Sequence, residues 1–358
     1  MKKVLLTIGT LAGGGAERVV SIWSGILAQR GYNVAVQVDH RTQGEYPVDE
    51  KVHIESIAET KDDYLELSKV KRMLIKRRFL KAWKPDAVVN FLPGNQIRML
   101  ILSVGLKMRR VETIRINPWR STVNPKLWNL CFDRADGIIL QTEDQKEYLS
   151  LRNQKKCVVI RNPLAEVYKN ADSREYGKGV NRFVAAGRLD EQKNFPMLIE
   201  AFSRVAKDND TISLDIYGKG SDEYTVYLQE CIDKTGVSER ITLKGRTNDM
   251  CTALMEHDCF IMSSDYEGMP NALAEAMSTG MVCISTDCKT GPCDMIENGK
   301  NGYLSKTGDA DDMERVIRQV LSMSKEDIES MGKAARESIL ELCDDQKNMK
   351  KLIEVIEG

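Results

Sequence analysis

The sequence predicts an α/β protein made of two Rossmann-like, doubly wound domains in series. Three observations carry this. At 358 residues the chain is longer than one hydrophobic core usually serves, so two domains of about 150–200 residues are expected. Short β-branched runs alternate with helical stretches along its whole length, the pattern of parallel strands joined by crossover helices. The alternation pauses once, at Asn162-Pro163 and the polar segment Asn170–Gly179, and then restarts. The expected division is a first domain over 1–163 and a second over 164–340, with 341–358 as a C-terminal helix packing back towards the first. Doubly wound sheets hold ligands at the carboxyl ends of their strands, and two such crevices are most productive facing each other across a cleft.

Each element follows from the local pattern. In the first half the strand candidates are Val4–Gly9, Asn33–Asp39, Ala87–Phe91, Val111–Arg115, Gly137–Gln141 and Cys157–Arg161. Helical stretches Glu17–Gln29, Leu65–Trp83 and Gln96–Leu106 fall between them. In the second half, strands Arg182–Gly187, Ile212–Tyr217, Ile241–Leu243, Cys259–Met262 and Val282–Ser285 alternate with helices beginning near Asn194, Ser221, Asn271 and Asp309. Glycines fall at strand ends, where the backbone must turn sharply or approach a ligand.

Composition narrows the class. With 42% hydrophobic and 29% charged residues the chain reads as soluble and globular. No stretch approaches the roughly 20 apolar residues of a membrane span. The opening MKKVLLTIGTLAGGGAERVV resembles a signal peptide only briefly, because Thr7, Gly9 and Thr10 interrupt its apolar run; a buried first strand fits it better. Nine cysteines without a C-x-x-C pair, and three histidines, argue against a disulfide framework or a zinc site. Cys157, Cys259 and Cys283 sit in apolar runs and read as small buried groups in a reducing cytoplasm. The net charge of −1 hides an asymmetry. Residues 1–163 carry 28 Lys/Arg against 17 Asp/Glu, or +11, and the remainder carries 24 against 36, or −12. Two domains with different partners would produce that split.

The strongest chemical signal is the run from Asp265 to Glu275, DYEGMPNALAE. A strand ends near Ser264, Glu267 lies in the following loop, and Pro270 suits the first turn of a helix. The amides of Asn271, Ala272 and Leu273 then form an anion site at the helix start. One carboxylate beside that site and a second on its flank suit a ligand with hydroxyls at both ends of a diphosphate, such as a sugar nucleotide. Spacing alone does not exclude Glu267 as decoration of a helix start and Glu275 as a surface residue.

Taken with the rest of the chain, this segment resembles the Glu-x7-Glu motif of retaining glycosyltransferases of family 4, which have the GT-B fold. The resemblance spans nearly the whole sequence. Gly187-Arg188 through Lys193-Asn194 resembles the family's G-R-L-x-x-x-K-N loop, and Tyr217-Gly218-Lys219-Gly220 its G-x-G strand end. Leu243-Lys244-Gly245-Arg246 is similar to its L-x-G segment. Gly291-Pro292 with Asn301-Gly302-Tyr303-Leu304 is similar to its G-P…N-G-x-L run, and Gly13 to Arg18 to its G-G-A-E-R loop. Six such matches in order are far more specific than any one.

By resemblance, Glu267 touches the donor sugar near the reacting centre and Glu275 holds the ribose hydroxyls. Arg188 and Lys193 would stabilise charge on the leaving diphosphate, in place of a divalent metal. The donor-binding set is Gly14, Gly15, Gly187, Asn194, Gly218, Gly245, Arg246, Gly268, Met269, Pro270, Asn271, Ala272, Leu273 and Glu275. No metal or other cofactor is expected, and Asp208-Asn209-Asp210 lacks supporting ligands for an Asp-x-Asp metal site. No carboxylate is clearly placed as a covalent nucleophile, so a same-face displacement assisted by the donor phosphate is implied. One position departs from the pattern. Many relatives carry a histidine where this chain reads Arg115-Ile-Asn117-Pro118, a wording similar to some polysaccharide-assembly members. Arg115 and Asn117 are therefore candidate acceptor contacts, with a structural role in the loop as the alternative.

The reading implied is transfer of a hexosyl or N-acetylhexosaminyl unit from a UDP-sugar to a lipid-linked saccharide. Lys69 to Lys84 adds a second partner. It holds eight cations, Lys69, Lys71, Arg72, Lys76, Arg77, Arg78, Lys81 and Lys84, interleaved with Val70, Met73, Leu74, Leu80 and Trp83. A basic helix with one apolar stripe suits the anionic inner face of the cytoplasmic membrane; a core-packed helix with a solvated basic face is the alternative. No nucleic-acid motif accompanies the charge. Rival functions are an NAD-dependent oxidoreductase, a sugar-nucleotide epimerase of the same fold and a non-catalytic scaffold. The first lacks G-x-G-x-x-G after the first strand, though Asp39 ends the second.

Overall fold

The computed structural model of the chain describes residues 1–358 except Ser173 and Lys178. Those two belong to the segment Asn170–Gly179 read above as a linker, and that part of the reading lies outside the described residues. The chain separates into two compact units, Met1–Pro163 with Asp345–Gly358, and Leu164–Asp344. The described part of Asn170–Gly179 belongs to the second unit and is anchored there, the Tyr176 hydroxyl donating to the Gly280 carbonyl at 3.1 Å.

The first unit is a parallel seven-stranded sheet. Its strands are β1 (Lys3–Thr7), β2 (Asn33–His40), β3 (His53–Ala58), β4 (Ala87–Asn90), β5 (Arg109–Thr113), β6 (Gly137–Leu140) and β7 (Cys157–Val159), in the spatial order β3-β2-β1-β4-β5-β6-β7. The connecting helices are α1 (Gly15–Gln29), α2 (Lys61–Glu66), α3 (Lys69–Trp83), α4 (Pro93–Leu102), α5 (Pro125–Asp133) and α6 (Leu151–Gln154). Alternate strand residues face two cores. Val4, Leu6, Val34 and Val36 pack with Trp23 and Leu27 of α1, while Leu5, Ala35 and Val88 pack with Leu80 and Met99.

The second unit is a parallel six-stranded sheet, ordered β10-β9-β8-β11-β12-β13. The strands are β8 (Arg182–Ala186), β9 (Ser213–Tyr217), β10 (Ile241–Gly245), β11 (Cys259–Met262), β12 (Val282–Thr286) and β13 (Tyr303–Ser305). Its helices are α7 (Glu166–Lys169), α8 (Phe195–Asp208), α9 (Asp222–Asp233), α10 (Met250–Met255), α11 (Asn271–Ser278), α12 (Pro292–Met295), α13 (Ala310–Leu321) and α14 (Lys325–Leu342). The last helix, α15 (Asp345–Glu357), returns to the first unit, where Met349, Leu352, Val355 and Ile356 join the core that α1 covers. The strand order reverses at β1/β4 in one unit and at β8/β11 in the other, which is where such sheets open a ligand crevice.

Several sequence expectations are corrected. Strands β3 and β13 were not expected. The first lies at the sheet edge with only Ile57 fully buried, so its apolar alternation is weak, and the second spans three residues. Helices α5, α6, α7, α10, α12 and α14 are also absent from the sequence reading. The single helix expected over Leu65–Trp83 is two. Leu67 is extended, and Ser68 caps α3 by accepting from the Lys71 amide at 3.2 Å. Pro270 caps α11 from outside rather than sitting in its first turn.

The basic helix departs furthest from the single-stripe expectation. Val70 and Leu74 are exposed at 69% and 57%, while Lys76 is buried and paired with Asp39 at 2.8 Å. Burial pushes the Lys76 ammonium down to about 8. Arg72 lies over the Tyr64 ring, and Arg77 donates to the carbonyls of Leu102 and Val104. Three of the eight cations thus hold the fold. Among the described residues no helix is long and apolar enough to cross a membrane.

Candidate active site

In the second unit, the loop leaving β8 and the loop leaving β11 meet at the switch point of the sheet. The first carries Arg188 and a short 3-10 turn, Glu191–Lys193. It ends at Asn194, which adopts left-handed backbone (φ 45°) and caps α8 by accepting from the Met197 amide. The Asn194 amide group also donates to Asp265 at 2.8 Å, and the Asp265 amide donates to the Gln192 carbonyl at 2.9 Å. These bonds hold the two loops together.

That union brings Lys193 onto Glu267. Lys193 Nζ lies 2.6 Å from Glu267 Oε1, with side-chain exposures of 14% and 8%. The Ser264 hydroxyl donates to the same oxygen at 2.7 Å. Gln192 Nε2 donates to the Tyr266 carbonyl at 2.8 Å and approaches Glu267 Oε2 at 3.5 Å. Gln192 Oε1 in turn accepts from Arg188 Nη2 at 3.1 Å. Arg188 is 69% exposed and also contacts Asp190 at 3.3 Å. Charge-assisted bonds of this kind fix a carboxylate firmly. Gln192 and Ser264 were not singled out from the sequence, since neither residue type carries a signal outside this geometry.

After Glu267, Gly268 and Met269 lead to Pro270 and the start of α11, where the amides of Asn271, Ala272 and Leu273 open the helix. Glu275 follows one turn on and is buried. The arrangement combines a helix N-terminus, a held carboxylate and two cations. It can accept a diphosphate and stabilise charge developing on it.

The glycines divide by role. A Cβ on Gly218 would fall on the Gly187 carbonyl oxygen, and one on Gly220 on the Leu189 carbonyl oxygen. The G-x-G strand end is thus accounted for by close packing of the β8 and β9 loops, without appeal to a ligand. Gly245 ends β10 in left-handed backbone (φ 71°), and the Gly218 amide donates to its carbonyl. Arg246 beside it is exposed. In the first unit Gly14 is the extended residue before α1 and Gly15 its first residue, so amides without side chains open that helix.

Arg115 and Asn117 both lie buried within the first unit, and among the described residues the Nε and Nη2 of Arg115 have no hydrogen-bond partner. The Arg115 guanidinium is buried against the rings of Trp23 and Phe91, 4.4 Å and 5.3 Å from their centres, and its Nη1 donates to Asn162 at 2.9 Å. Burial lowers its pKa to about 9. Asn117 accepts from the Trp119 amide at the start of a 3-10 turn. Asp208, from the Asp-x-Asp triplet, pairs with Arg318 at 2.7 Å.

Comparison with known proteins decides the family. A family model described as glycosyl transferases group 1 matches residues 169–338. The amylovoran biosynthesis glycosyltransferase AmsD of Erwinia amylovora is 30% identical over 317 residues, covering 85% of this chain and 86% of its own. The chain belongs to the group 1 glycosyltransferases. The resemblance carried by the six motifs is thereby confirmed, and the oxidoreductase, epimerase and scaffold readings fall. This glycosyltransferase is also 25% identical to a Campylobacter jejuni N-acetylgalactosaminyltransferase whose name specifies a diphospho-undecaprenol acceptor, over 91% of this chain and 92% of the relative. Its fold matches those of S. aureus TarM and Anabaena HepE, both solved with UDP. Each has a TM-score of 0.81, 14% identity and complete coverage of both chains.

Proposed function

We propose that this glycosyltransferase moves a hexosyl or N-acetylhexosaminyl unit from a nucleoside-diphosphate sugar, UDP-linked, to a hydroxyl of a lipid-linked saccharide, with retention at the anomeric carbon. The observation that carries the reading is the Lys193–Glu267 pair beside the start of α11. In the proposed reaction the anomeric C–O bond breaks and negative charge collects on the leaving diphosphate. Arg188, Lys193 and the α11 amides meet that charge, in place of a metal. Glu267, held by Lys193 and Ser264, serves as a fixed carboxylate at the sugar rather than as a free nucleophile. The acceptor hydroxyl oxygen bonds to the anomeric carbon on the face the diphosphate leaves, and its proton passes to a departing phosphate oxygen. UDP in the TarM and HepE structures and the acceptor named for the Campylobacter relative support the choice of donor and acceptor.

The enzyme would act as a peripheral protein at the inner face of the cytoplasmic membrane. Exposed Lys71, Leu74, Arg78 and Lys81 share one face of α3. Arg77 ties that helix to the end of α4, where Ile101 and Val104 are exposed at 66% and 60%. Apolar and cationic groups mixed in one patch suit an anionic lipid surface, where each cation contributes about 1 kcal/mol.

Melting temperature against UDP, GDP, ADP, their sugars and NAD tests the donor assignment. A ligand at about 100 times its Kd stabilises by roughly 2.7 kcal/mol. The expected result is a shift with UDP and one or more UDP-sugars that Lys193→Ala abolishes. A shift with another nucleotide alone, or none, overturns the UDP assignment.

A further inference from the structure

Behind the Glu267 loop lies a residue that neither the motifs nor the chemistry above uses. Thr290 is fully buried, and its backbone stands at φ 70°, a left-handed conformation rare for a β-branched residue. Its hydroxyl donates to the carbonyl oxygen of Glu267. The next residue, Gly291, is also left-handed at φ 99°, and a Cβ there would come 2.6 Å from both the Gly268 carbonyl oxygen and Pro270 Cδ. At the end of β12 the Thr286 hydroxyl donates to the Ser264 carbonyl at 2.6 Å. The segment from Thr286 to Gly291 therefore grips the Ser264–Pro270 loop at two carbonyls and lies flat against its far end.

Glycine would adopt the backbone of residue 290 without strain, but it carries no hydroxyl. Strain of this kind persists where the surroundings over-determine it, and it concentrates at functional sites. We infer that Thr290 is a positioning residue for glycosyl transfer. Its hydroxyl fixes the Glu267 peptide from behind while Lys193 and Ser264 hold the carboxylate in front. Together these contacts set where the carboxylate stands relative to the start of α11. Thr290 acts through Glu267 and touches no substrate. The inference rests on Glu267 belonging to the reacting centre.

Three variants separate this role from a purely structural one. Thr290→Ser keeps the hydroxyl, Thr290→Val keeps the branched shape and the strained backbone, and Thr290→Gly relieves the strain. UDP release from the UDP-sugar that the parent enzyme consumes gives kcat and KM, and thermal melts give Tm, with Glu267→Ala measured alongside. The expected pattern is kcat near the parent's for Thr290→Ser. Thr290→Val and Thr290→Gly should both lose about tenfold or more in kcat with little change in donor KM, as small misplacements of reacting groups do. The loss should follow the hydroxyl and not Tm, which will differ between Val and Gly. Parental kcat in Thr290→Val or Thr290→Gly with Glu267→Ala inactive overturns the role of Thr290 alone, as does a loss that simply tracks Tm. Parental kcat in Glu267→Ala overturns the site reading itself.

Discussion

Lys193 and Glu267, 74 residues apart in sequence, form an ion pair of 2.6 Å that is largely withdrawn from water. It joins the loop after β8 to the loop after β11, so it bears on the fold as well as on the chemistry.

Removing one member strands the other's charge in a site with little water. Lys193→Ala and Glu267→Ala should each destabilise by about 3 kcal/mol, the lower end for a broken buried pair. The double variant should lose clearly less than the sum of the two. Arg188→Ala, at an exposed position, should leave Tm nearly unchanged. All of these variants should cut transfer by orders of magnitude. Denaturant melts and UDP-release assays read both quantities, and additive losses would show that the pair is not energetically coupled.

The proposed division of labour gives the diphosphate two cations and a helix start instead of a divalent ion. Transfer should therefore proceed at an unchanged rate after exhaustive treatment with EDTA and removal of the chelator. A rate restored only by added magnesium or manganese would count against that division.

Thr7, Asn90 and Glu112 stand in register across three adjacent strands of the first unit. The Thr7 hydroxyl donates to Asn90, whose amide group donates to Glu112 at 3.1 Å. Burial pushes the Glu112 carboxyl well above the usual range, opposed by Arg110 and the Asn90 bond. A pKa higher in the folded than in the unfolded chain means that the folded state retains the proton. That stability is fully present below the unfolded value of about 4.3 and declines as pH rises towards the folded one. Glu112→Gln should be at least as stable as the parent at pH 8 and flatter in its stability profile between pH 5 and 8. Urea midpoints across that range measure it, and a parental slope in the variant would assign the titration to another group.

For the membrane face, the informative substitutions are those that leave the fold's own cations alone. Lys71→Glu, Arg78→Glu and Lys81→Glu together should abolish sedimentation with phosphatidylglycerol vesicles while preserving Tm. Arg72 and Arg77 are unsuitable because they bond Leu65, Leu102 and Val104 carbonyls. Undiminished vesicle binding would leave the face as merely solvated.

Gly218→Ala tests the packing account of the G-x-G strand end. Its new methyl would fall on the Gly187 carbonyl, so Tm should drop by several degrees, as overpacking typically produces. An unchanged Tm with weakened UDP binding would return Gly218 to the ligand.

The fold class and most strands were legible because period-2 and 3.6-residue apolar patterns are local properties of a chain. So were Glu267, Arg188 and Lys193, through motifs whose spacing survives without structure. Edge strand β3 and the three-residue β13 were not, because few of their residues are buried. The helix break at Leu67 and Ser68 was missed because the surrounding residues all tolerate helix.

By itself, then, the sequence determined the two α/β units, the family motifs and the loops that carry charge. Only the tertiary structure decided which groups meet. It turned Lys76 inward onto Asp39, buried Arg115 against two aromatic rings, closed Lys193 onto Glu267 and held Thr290 in a strained conformation beneath it. The reason is physical. Periodicity reports burial averaged over an element, whereas an ion pair or a strained hydroxyl contact depends on loops far apart in sequence, brought together by the order of strands in the sheet.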